Sequence, residues 1–369
     1  MMCLNLRKWV LSMAVAASLI VPVANVFAAP FIAGDLAVFQ TGPLVPNGTL
    51  TNNSTPFNII ELSATTPAQV APVQTISATG LFTSGTASST GYLRSNAAGL
   101  LTFTGHTSAA AAGLNANTIV GRAVGTIDGS TGNFAIGTTY TGIMGNQARS
   151  AITANGTDYY IGDQAGIYGN GNTTPEFAGN VRDVGYFGGN TYTLQASATA
   201  TIIAVSALTP TQPQNSGPVT LTGLPGLTNL STAQDFFMLA SGSLGTAMDT
   251  LYISTSTGLS KFSFDGTTWT ARGTAAVTGG VYGLAAAGDG GGSVNLYGTT
   301  GNGIGTNVIG VNDSAAFNAN IALGAVTTLY TVPTGTTATL RGIALVPEPT
   351  SLSLIGVGAA GLLARRRRK

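Results

Sequence analysis

The residues that could act on a substrate are few and far apart in the sequence. His106, in the stretch LTFTGHTSA, is the only histidine of the 369-residue chain. A hydrolytic triad needs a histidine beside a nucleophile and an orienting acid, and nothing around His106 resembles a nucleophile elbow. A zinc site needs several histidine or cysteine ligands, which one histidine does not supply. We therefore expect His106 to be a polar turn residue.

Paired carboxylates offer another route to catalysis, because two suitably placed acids can hydrolyse a glycosidic bond. The candidates are Glu61 in FNIIELSA, Glu176 in a glycine-rich stretch after Pro175, and the scattered aspartates. Neither glutamate belongs to a recognisable motif. We expect a protein that is not an enzyme, and a secreted carbohydrate-active enzyme with paired carboxylates is the alternative.

Motifs for metals and phosphates are equally sparse. The Asp-Gly steps at residues 128, 265 and 289 are typical of hairpin turns, and none has the ligand spacing of a calcium-binding helix-loop-helix motif. A calcium site in the loop AGDGGGSVN is the alternative at the last of them. The glycine runs GNGN and GNGIG lack the lysine of a phosphate-binding loop. The sequence predicts neither a cofactor nor a metal.

Aromatic side chains beside turns are the best remaining candidates for ligand binding. Their faces can stack on sugars, and packing between sheets is the alternative for most of them. They are Tyr159, Tyr160, Tyr168, Tyr186, Tyr192, Tyr252, Trp269, Tyr282 and Tyr297.

The elements that carry these residues are predicted to be β-strands. Short β-prone runs occur at residues 35–39, 57–62 and 73–78, as expected for strands bounded by turn residues. Residues 124–140 are typical of a hairpin with Asp-Gly and Gly-Asn turns, and residues 251–273 of a three-stranded meander. Residues 108–116, SAAAAGLNA, are a candidate for one short helical turn.

Similar strand patterns recur along the chain and predict a β-propeller. Arg149, Arg182, Gly283 and Gly342 each lie in a short strand, and the first three of these strands precede a turn and a tyrosine-containing strand. Repeated units of three or four antiparallel strands are typical of propeller blades, and residues 29–346 have room for about six or seven of them. We expect the first strand, GDLAVF, and the last, LRGIALV, to complete one blade together. A β-sandwich or a β-helix is the alternative.

A proline-rich stretch at residues 207–231 contains four prolines among polar residues. A linker between two domains is one interpretation. We favour a long loop between blades, because similar units occur on both sides of it.

Charge is scarce and is concentrated at the two ends of the chain. Of the 14 lysines and arginines, two lie near the amino end and five end the chain, which leaves seven cations against twelve of the 13 acids. The region between the ends therefore has a net charge of −5. Nucleic-acid binding needs clustered cations, so we expect no nucleic-acid partner.

The amino end is predicted to be a secretory signal peptide. Arg7 and Lys8 precede an apolar stretch at residues 9–23, and small residues follow up to Ala28 and Ala29, which is the usual arrangement before a cleavage site. Cleavage between these alanines would remove residues 1–28, including the only cysteine, Cys3. The mature chain would then contain no thiol or disulfide.

The carboxyl end has three parts in a fixed order. These are Pro347, Glu348 and Pro349, an apolar segment at residues 352–364, and the basic run Arg365, Arg366, Arg367, Arg368 and Lys369. A helix over residues 350–364 would rise about 22 Å, short of the ~30 Å hydrocarbon core. We expect a transmembrane segment that holds the chain transiently, with the basic run on the cytoplasmic side as a stop-transfer signal.

This end resembles the PEP-CTERM sorting signal, which has the same three parts in the same order. The resemblance implies that an exosortase-type enzyme cuts near Pro-Glu-Pro. It also implies that the protein is held transiently in the inner membrane and then released to the cell surface or the extracellular matrix. The predicted organisation is a signal peptide at 1–28, an all-β propeller-like domain at 29–346 and the sorting signal at 347–369.

The body of the chain is also similar to propeller-like secreted proteins that carry this tail. The similarity rests on the segments LRGIALVPEP and VNLYGTTG. It implies a non-enzymatic surface protein with a structural or adhesive role in exopolysaccharide or biofilm. Possible partners are then exopolysaccharide or other surface proteins.

Overall fold

A computed structural model describes residues 29–42, 49–108, 114–195, 205–227, 232–301 and 304–347. Its regular structure is almost entirely β, with one 3₁₀ turn at Ala116–Thr118, so the all-β prediction is confirmed. The helical turn expected at residues 108–116 falls partly outside the described residues. Within the described ranges, no helix is long and apolar enough to cross a membrane.

The described residues form 24 strands. In chain order they are β1 (Leu36–Thr41), β2 (Ser54–Leu62), β3 (Gln74–Ser84), β4 (Arg94–Ser95), β5 (Leu100–His106), β6 (Gly121–Asp128), β7 (Asn133–Thr141), β8 (Ala148–Thr153), β9 (Tyr159–Asp163), β10 (Gly166–Tyr168), β11 (Phe177–Ala178), β12 (Val181–Phe187), β13 (Asn190–Gln195), β14 (Val205–Thr209), β15 (Thr220–Gly223), β16 (Ala233–Leu239), β17 (Thr250–Thr255), β18 (Gly258–Phe264), β19 (Trp269–Ala276), β20 (Leu284–Gly288), β21 (Val294–Thr299), β22 (Asn307–Asp313), β23 (Thr327–Thr331) and β24 (Thr339–Leu345). The predicted hairpin is β6–β7, and the predicted meander is β17–β19.

Four groups of consecutive strands form separate antiparallel sheets. They are β8–β11, β12–β15, β16–β19 and β20–β23. The other eight strands form one sheet in the order β24-β1-β2-β3-β5-β6-β7, with β4 paired to β5. The prediction of six or seven separate blades is therefore wrong for the described part of the chain. A single residue pair, Phe82 with His106, joins β3 to β5 and merges two four-stranded halves into one sheet.

The sheets are arranged around a common axis, as in a propeller. One strand from each four-stranded sheet and one from each half of the large sheet contact one another in the cyclic order β24, β4, β8, β12, β16, β20 and back to β24. We call these six the inner strands. Apolar side chains fill the spaces between neighbouring sheets, for example Leu194 and Val205 against Phe236 and Leu251. Burial of each such side chain stabilises the fold by about 1.5–3 kcal/mol.

The two ends of the domain close the ring, as predicted from the first and last strands. β1 pairs antiparallel with β24, with Val38 opposite Ile343. Beside this ladder, Gly34 N donates to Val346 O at 3.0 Å, and Val346 N donates to Asp35 O at 2.9 Å. Residues near both ends of the domain are thus hydrogen-bonded to each other.

The proline-rich stretch is not a loop between blades, contrary to the prediction. It contains most of β14 and all of β15, which pair with each other within one sheet. Pro210, Pro213 and Pro218 lie in the connection between these strands. Because a proline has no N–H for a β-ladder, the prolines occupy the turn while the strands on either side remain paired.

Candidate functional site

Three β-bulges each redirect one side chain of an inner strand. The residue left out of the ladder is Arg149 in β8, Arg182 in β12 and Gln234 in β16. A bulge inserts an unpaired residue and re-aims its side chain, and bulges are common beside functional sites. Arg182 Nη1 donates to Gln234 Oε1 at 2.7 Å, and Arg149 lies within electrostatic range of Arg182. The bulges therefore bring these three side chains together.

The remaining inner strands contribute one side chain each to the same cluster. Tyr92 precedes β4, Tyr282 precedes β20, and Arg341 lies in β24. The rings of Tyr92 and Tyr282 stack with centroids 5.2 Å apart, and both tyrosines interact electrostatically with Arg149 and Arg341. We call the six residues the axial ring: Tyr92, Arg149, Arg182, Gln234, Tyr282 and Arg341.

Within the described part of the chain, the guanidinium groups of the axial ring donate only to neutral acceptors. Arg149 Nη1 donates to Asn180 Oδ1 at 2.6 Å and to Val181 O at 2.7 Å. Arg341 donates to Ser84 O at 2.7 Å and to Gly85 O at 3.0 Å. It also contacts the Thr83 and Thr90 hydroxyls. Among the described residues, no carboxylate forms a salt bridge with any of the three arginines.

Burial without a salt bridge is reflected in the acid–base properties of the ring. Burial lowers the pKa of Arg149 to about 10 and the positive charge of Arg182 acts in the same direction, whereas Tyr92, Tyr282 and Asp163 act in the opposite direction. Burial likewise lowers the pKa of Arg341 to about 10. The pKa of the Tyr282 phenol is raised well above its ordinary value, by burial first and then by Tyr92. The ring is thus a desolvated cluster with an excess of positive charge.

A second layer of charge lies one residue further along two of the inner strands. Asp183 and Asp235 both contact Nη2 of Arg94, the latter at 2.5 Å. Asp235 Oδ2 also accepts from Leu284 N at 2.8 Å, which links β16 to β20. Burial raises the pKa of Asp235 to about 6, although Arg94 acts in the opposite direction. Arg94 therefore connects three inner strands through two buried carboxylates.

A cavity of about 170 Å³ lies next to Arg94. Its lining includes Tyr186, Phe187, Phe237 and Pro347. Pro347 is the first residue of the Pro-Glu-Pro motif. The chain segment that leads into the predicted sorting signal therefore leaves the domain close to Arg94 and its two aspartate partners.

The two glutamates proposed as a catalytic pair lie on different sheets. Glu61 is buried on β2, accepts from Ile32 N at 2.5 Å and accepts from Gln74 Nε2 at 2.7 Å. Glu176 lies between β10 and β11 and accepts from Asn172 and from Gly217 N. Burial raises the pKa of both carboxyl groups. Each glutamate is thus held by its own local partners, and the structure does not bring the two together.

His106 is not a turn residue, contrary to the prediction. It is the last residue of β5, is buried, and lies opposite Phe82 of β3 and Arg122 of β6 in the ladder. Burial, followed by the positive charge of Arg122, lowers its pKa to about 4. His106 is therefore a neutral residue of the sheet interior at neutral pH.

Most aromatic residues singled out from the sequence are part of the interior. Six are buried, and three are partly buried: Tyr186, Tyr192 and Tyr297. Asp289, the candidate calcium ligand, accepts hydrogen bonds from Gly291 N and Ser293 N within its own hairpin. Within the described ranges, no three His, Cys, Asp or Glu side chains lie close enough to hold a metal ion.

The processing sites are only partly covered by the structure. Ala28, Glu348, Pro349 and the basic run at 365–369 lie outside the described residues, as does the predicted membrane segment. Ala29 is described, and its carbonyl oxygen accepts from Gln74 Nε2 at 3.0 Å. The predicted cleavage positions and the domain boundaries stay predictions.

Residues 345–369 match the sequence model of a protein family described as the PEP-CTERM protein-sorting motif. This match confirms the resemblance seen at the carboxyl end. It indicates an exported protein that an exosortase processes at the membrane on its way to the cell surface. The motif covers 25 residues of the chain and says nothing about the activity of the body.

Comparison of the whole chain with other proteins adds little to the match of the sorting motif. The chain matches none of the curated proteins with which it was compared. A protein of unknown function from Desulfotomaculum acetoxidans is 14% identical with a TM-score of 0.33, over 87% of this chain and 76% of that one. Apo AztD from Citrobacter koseri is 13% identical with a TM-score of 0.33, over 78% and 70% of the two chains.

Proposed function

We propose that this protein is a non-catalytic component of the cell surface or extracellular matrix, exported and then released by exosortase processing. Its role is structural or adhesive, and its partner is an exopolysaccharide. The sorting motif indicates the destination of the protein. The proposed role describes what the body of the protein does at that destination.

The composition of the axial ring is the observation that carries the proposal. Cationic, amide and phenolic groups converge there from all six inner strands, which suits binding through hydrogen bonds and charge. Asp183 and Asp235, which follow Arg182 and Gln234 in the sequence, are buried and engaged with Arg94. An acid and base that serve catalysis must reach the substrate, so this arrangement favours binding over turnover.

The destination is tested by following the exported protein in its producing cell. We expect the intact mass of the mature form to lack about 28 residues at the amino end and about 20 at the carboxyl end. Cell fractionation should show a membrane-held precursor and a released product. A released protein that retains the Arg-rich tail would contradict the sorting part of the proposal.

The adhesive role is tested by co-sedimentation of the released protein with exopolysaccharide purified from the same cells. We expect the protein to sediment with the polymer and to leave its chain length unchanged. Recovery of all the protein in the supernatant, with no other matrix component bound, would contradict adhesion.

A second candidate function is a secreted carbohydrate-active enzyme, favoured by one observation. Asp183 and Asp235 lie close enough to share one nitrogen of Arg94, which lines a cavity, and burial raises the pKa of Asp235, the direction expected of a general acid. The test is release of reducing ends from the producer's polysaccharide by the wild type and by Asp235→Asn. Turnover that is lost in the variant would establish the enzyme, and no turnover by the folded wild type would exclude it for that polymer.

A further inference from the structure

We propose that the axial ring is a binding site for an oxyanion, namely the carboxylate or sulfate group of an acidic sugar. The anion site follows from the ring itself. Its assignment to a polysaccharide rests on the proposed function, so the two are tested separately below.

Unbalanced charge is the first argument for an anion. Seven lysines and arginines lie within residues 29–347, and Arg94, Arg122 and Lys261 form salt bridges with buried aspartates. Among the described residues, four cations have no carboxylate partner. Three of the four belong to the axial ring, and the fourth, Arg272, lies on β19 and donates to Ser263 Oγ at 2.7 Å.

Unsatisfied donors are the second argument. The Nε atoms of Arg149, Arg182 and Arg341 are buried without a hydrogen-bond partner among the described residues. Arg341 is 0% exposed and Arg149 is 4% exposed. Buried donors are normally satisfied, and three unsatisfied donors in one cluster indicate that an acceptor outside the described protein completes the site.

The chemistry of the donors selects the ligand class. Guanidinium groups present planar pairs of N–H donors that match the two oxygens of a carboxylate, or those of a sulfate or phosphate. Three positive charges in a desolvated cluster disfavour a cationic ligand and favour an anion. The amide nitrogen of Gln234 donates to Thr232 O at 3.4 Å, and its second N–H is a neutral donor suited to a sugar hydroxyl.

Access to the ring is through Arg182. Arg182 is partly exposed, whereas the other five residues of the ring are buried. The anionic group of a ligand can therefore reach the ring from solvent at Arg182, while the rest of the ligand stays outside. This geometry suits a charged group carried by a larger molecule.

The site is tested by isothermal titration of the released, full-length mature protein at low salt. The probes are sodium galacturonate, sodium acetate and sodium sulfate, with galactose as the neutral control. We expect galacturonate to bind, galactose not to bind, and added sodium chloride to weaken binding because it screens and competes for the charge. A natively folded wild type that binds none of the three anions would overturn the proposal.

Variants of the exposed arginine assign binding to the ring. Arg182→Gln removes one charge and three of the five N–H donors, at a side chain whose hydrogen-bond partner among the described residues is Gln234, and we expect roughly tenfold weaker galacturonate binding. Arg182→Lys keeps the charge but loses the planar pair of N–H donors. Its affinity for galacturonate should lie between those of the wild type and Arg182→Gln. The matched control, Arg272→Gln, removes a charge of the same kind from an outer strand and should bind as the wild type does. Equal affinity of Arg182→Gln and the wild type, with circular dichroism spectra unchanged, would overturn the assignment.

A polymer arm separates this inference from the proposed function. Exopolysaccharide purified from the producing cells is titrated in parallel with the free anions. If the free anions bind and the polymer does not, the ring is an anion site and the matrix role fails. If the polymer binds equally to the wild type and to Arg182→Gln while the free anions do not bind, the matrix role stands and the ring is not its site.

Discussion

The few charged residues of this domain are mostly found inside it. Five of its seven lysines and arginines are buried: Arg94, Arg122, Arg149, Lys261 and Arg341. Because a buried charge is costly unless it is paired or hydrogen-bonded, each one must have a defined local environment. Arg94, Arg122 and Lys261 pair with aspartates of other sheets and hold the sheets together. Arg149 and Arg341 form no salt bridge among the described residues and belong to the axial ring.

His106 should make the stability of the fold depend on pH. Its folded pKa of about 4 lies below the ordinary value of about 6.5, so the unfolded chain binds the proton more tightly. The unfolding free energy is therefore highest above pH 6.5 and falls as the pH decreases toward 4. Between pH 7 and pH 5 we expect a loss of about 2 kcal/mol from this residue. Urea unfolding at the two pH values measures this loss as the difference between the wild type and His106→Gln, because Asp235, whose pKa is raised by burial, contributes a change of the opposite sign over the same range.

The control for this prediction is His106→Gln, which stays neutral over the same pH range. Between pH 7 and pH 5, the unfolding free energy of the wild type should fall relative to that of His106→Gln. The same pH dependence in both proteins would show that His106 does not titrate as the structure implies.

Asp313 should be a strong stabilising residue, because it joins two sheets. Its Oδ2 accepts from Lys261 Nζ at 2.8 Å and from the Tyr252 hydroxyl at 2.7 Å. Burial alone would raise the pKa of Asp313, but the hydrogen bonds from Lys261 and Tyr252 lower it below its ordinary value. Asp313→Ala leaves the buried ammonium unpaired, and we expect a loss of about 3–5 kcal/mol at pH 7. Chemical denaturation measures this loss.

Two further variants test the cause of this loss. Asp265→Ala, at an exposed hairpin aspartate, is the control for removal of a carboxylate and should cost much less. Lys261→Met combined with Asp313→Ala removes both charges and should be more stable than Asp313→Ala alone, because no unpaired charge is buried. A double variant that is less stable by the sum of the single losses would contradict the ion-pair explanation.

Sequence reasoning at the residue scale failed where function depends on contacts between distant residues. Arg149 and Arg182 were visible as members of repeated strands, but not as neighbours within one ring. His106 was assigned to a turn because its stretch is polar, whereas the alternation in LTFTGH places it in a strand whose end is buried by the joined halves of one sheet. The opposite faces of a strand are evident from a sequence, but the bulges that created the ring are not.

The inner strands are the elements on which the site depends, and glycines allow them to approach closely. A Cβ added to Gly342 of β24 would overlap the Gly91 carbonyl oxygen and the Leu93 nitrogen of the segment that leads into β4. Both obstacles are backbone atoms, so neither can rotate away. We therefore expect Gly342→Ala to destabilise the fold by about 1–3 kcal/mol or more through overpacking, measured by thermal or urea unfolding.

Gly288→Ala is the matched control for this change, because it is also a strand glycine and an added Cβ there meets nothing within 4 Å. It should leave the stability unchanged or slightly increased, since alanine restricts the unfolded chain. Similar stability of the two variants would show that the inner strands are not packed as tightly as the structure indicates.

Element-scale prediction succeeded where the signals were local. The turn residues of β6–β7 and β17–β19 and the complementary first and last strands were sufficient to place two hairpin units and the closure. The prolines of residues 207–231 were misleading, because a turn inside a sheet and a loop between sheets have the same composition. The number of separate sheets was missed because one long-range pair, Phe82 with His106, decides it.

At the scale of the whole molecule, the closing strand and the sorting motif are consecutive. β24 ends at Leu345, and the residues matched by the sorting motif begin at that same position. Because β24 also supplies Arg341 to the axial ring, the ring is complete only when the last strand before the tail is in place. Closure of the fold, formation of the proposed anion site and the sorting segment are therefore linked through one strand.

This link predicts different outcomes for two truncations. A chain that ends after residue 347 retains β24, so we expect the closed ring and the thermal stability of the full-length protein. A chain that ends after residue 338 lacks β24 and leaves β1 without the partner that Val38 and its neighbours have in the closed fold. It also exposes the apolar surface that Leu340 and Ile343 cover, and loss of these two buried side chains alone removes about 3–6 kcal/mol. We expect the shorter chain to unfold at a much lower temperature, to be cleaved readily by protease and to bind no galacturonate. Equal melting temperatures for the two chains would contradict closure of the fold through β24.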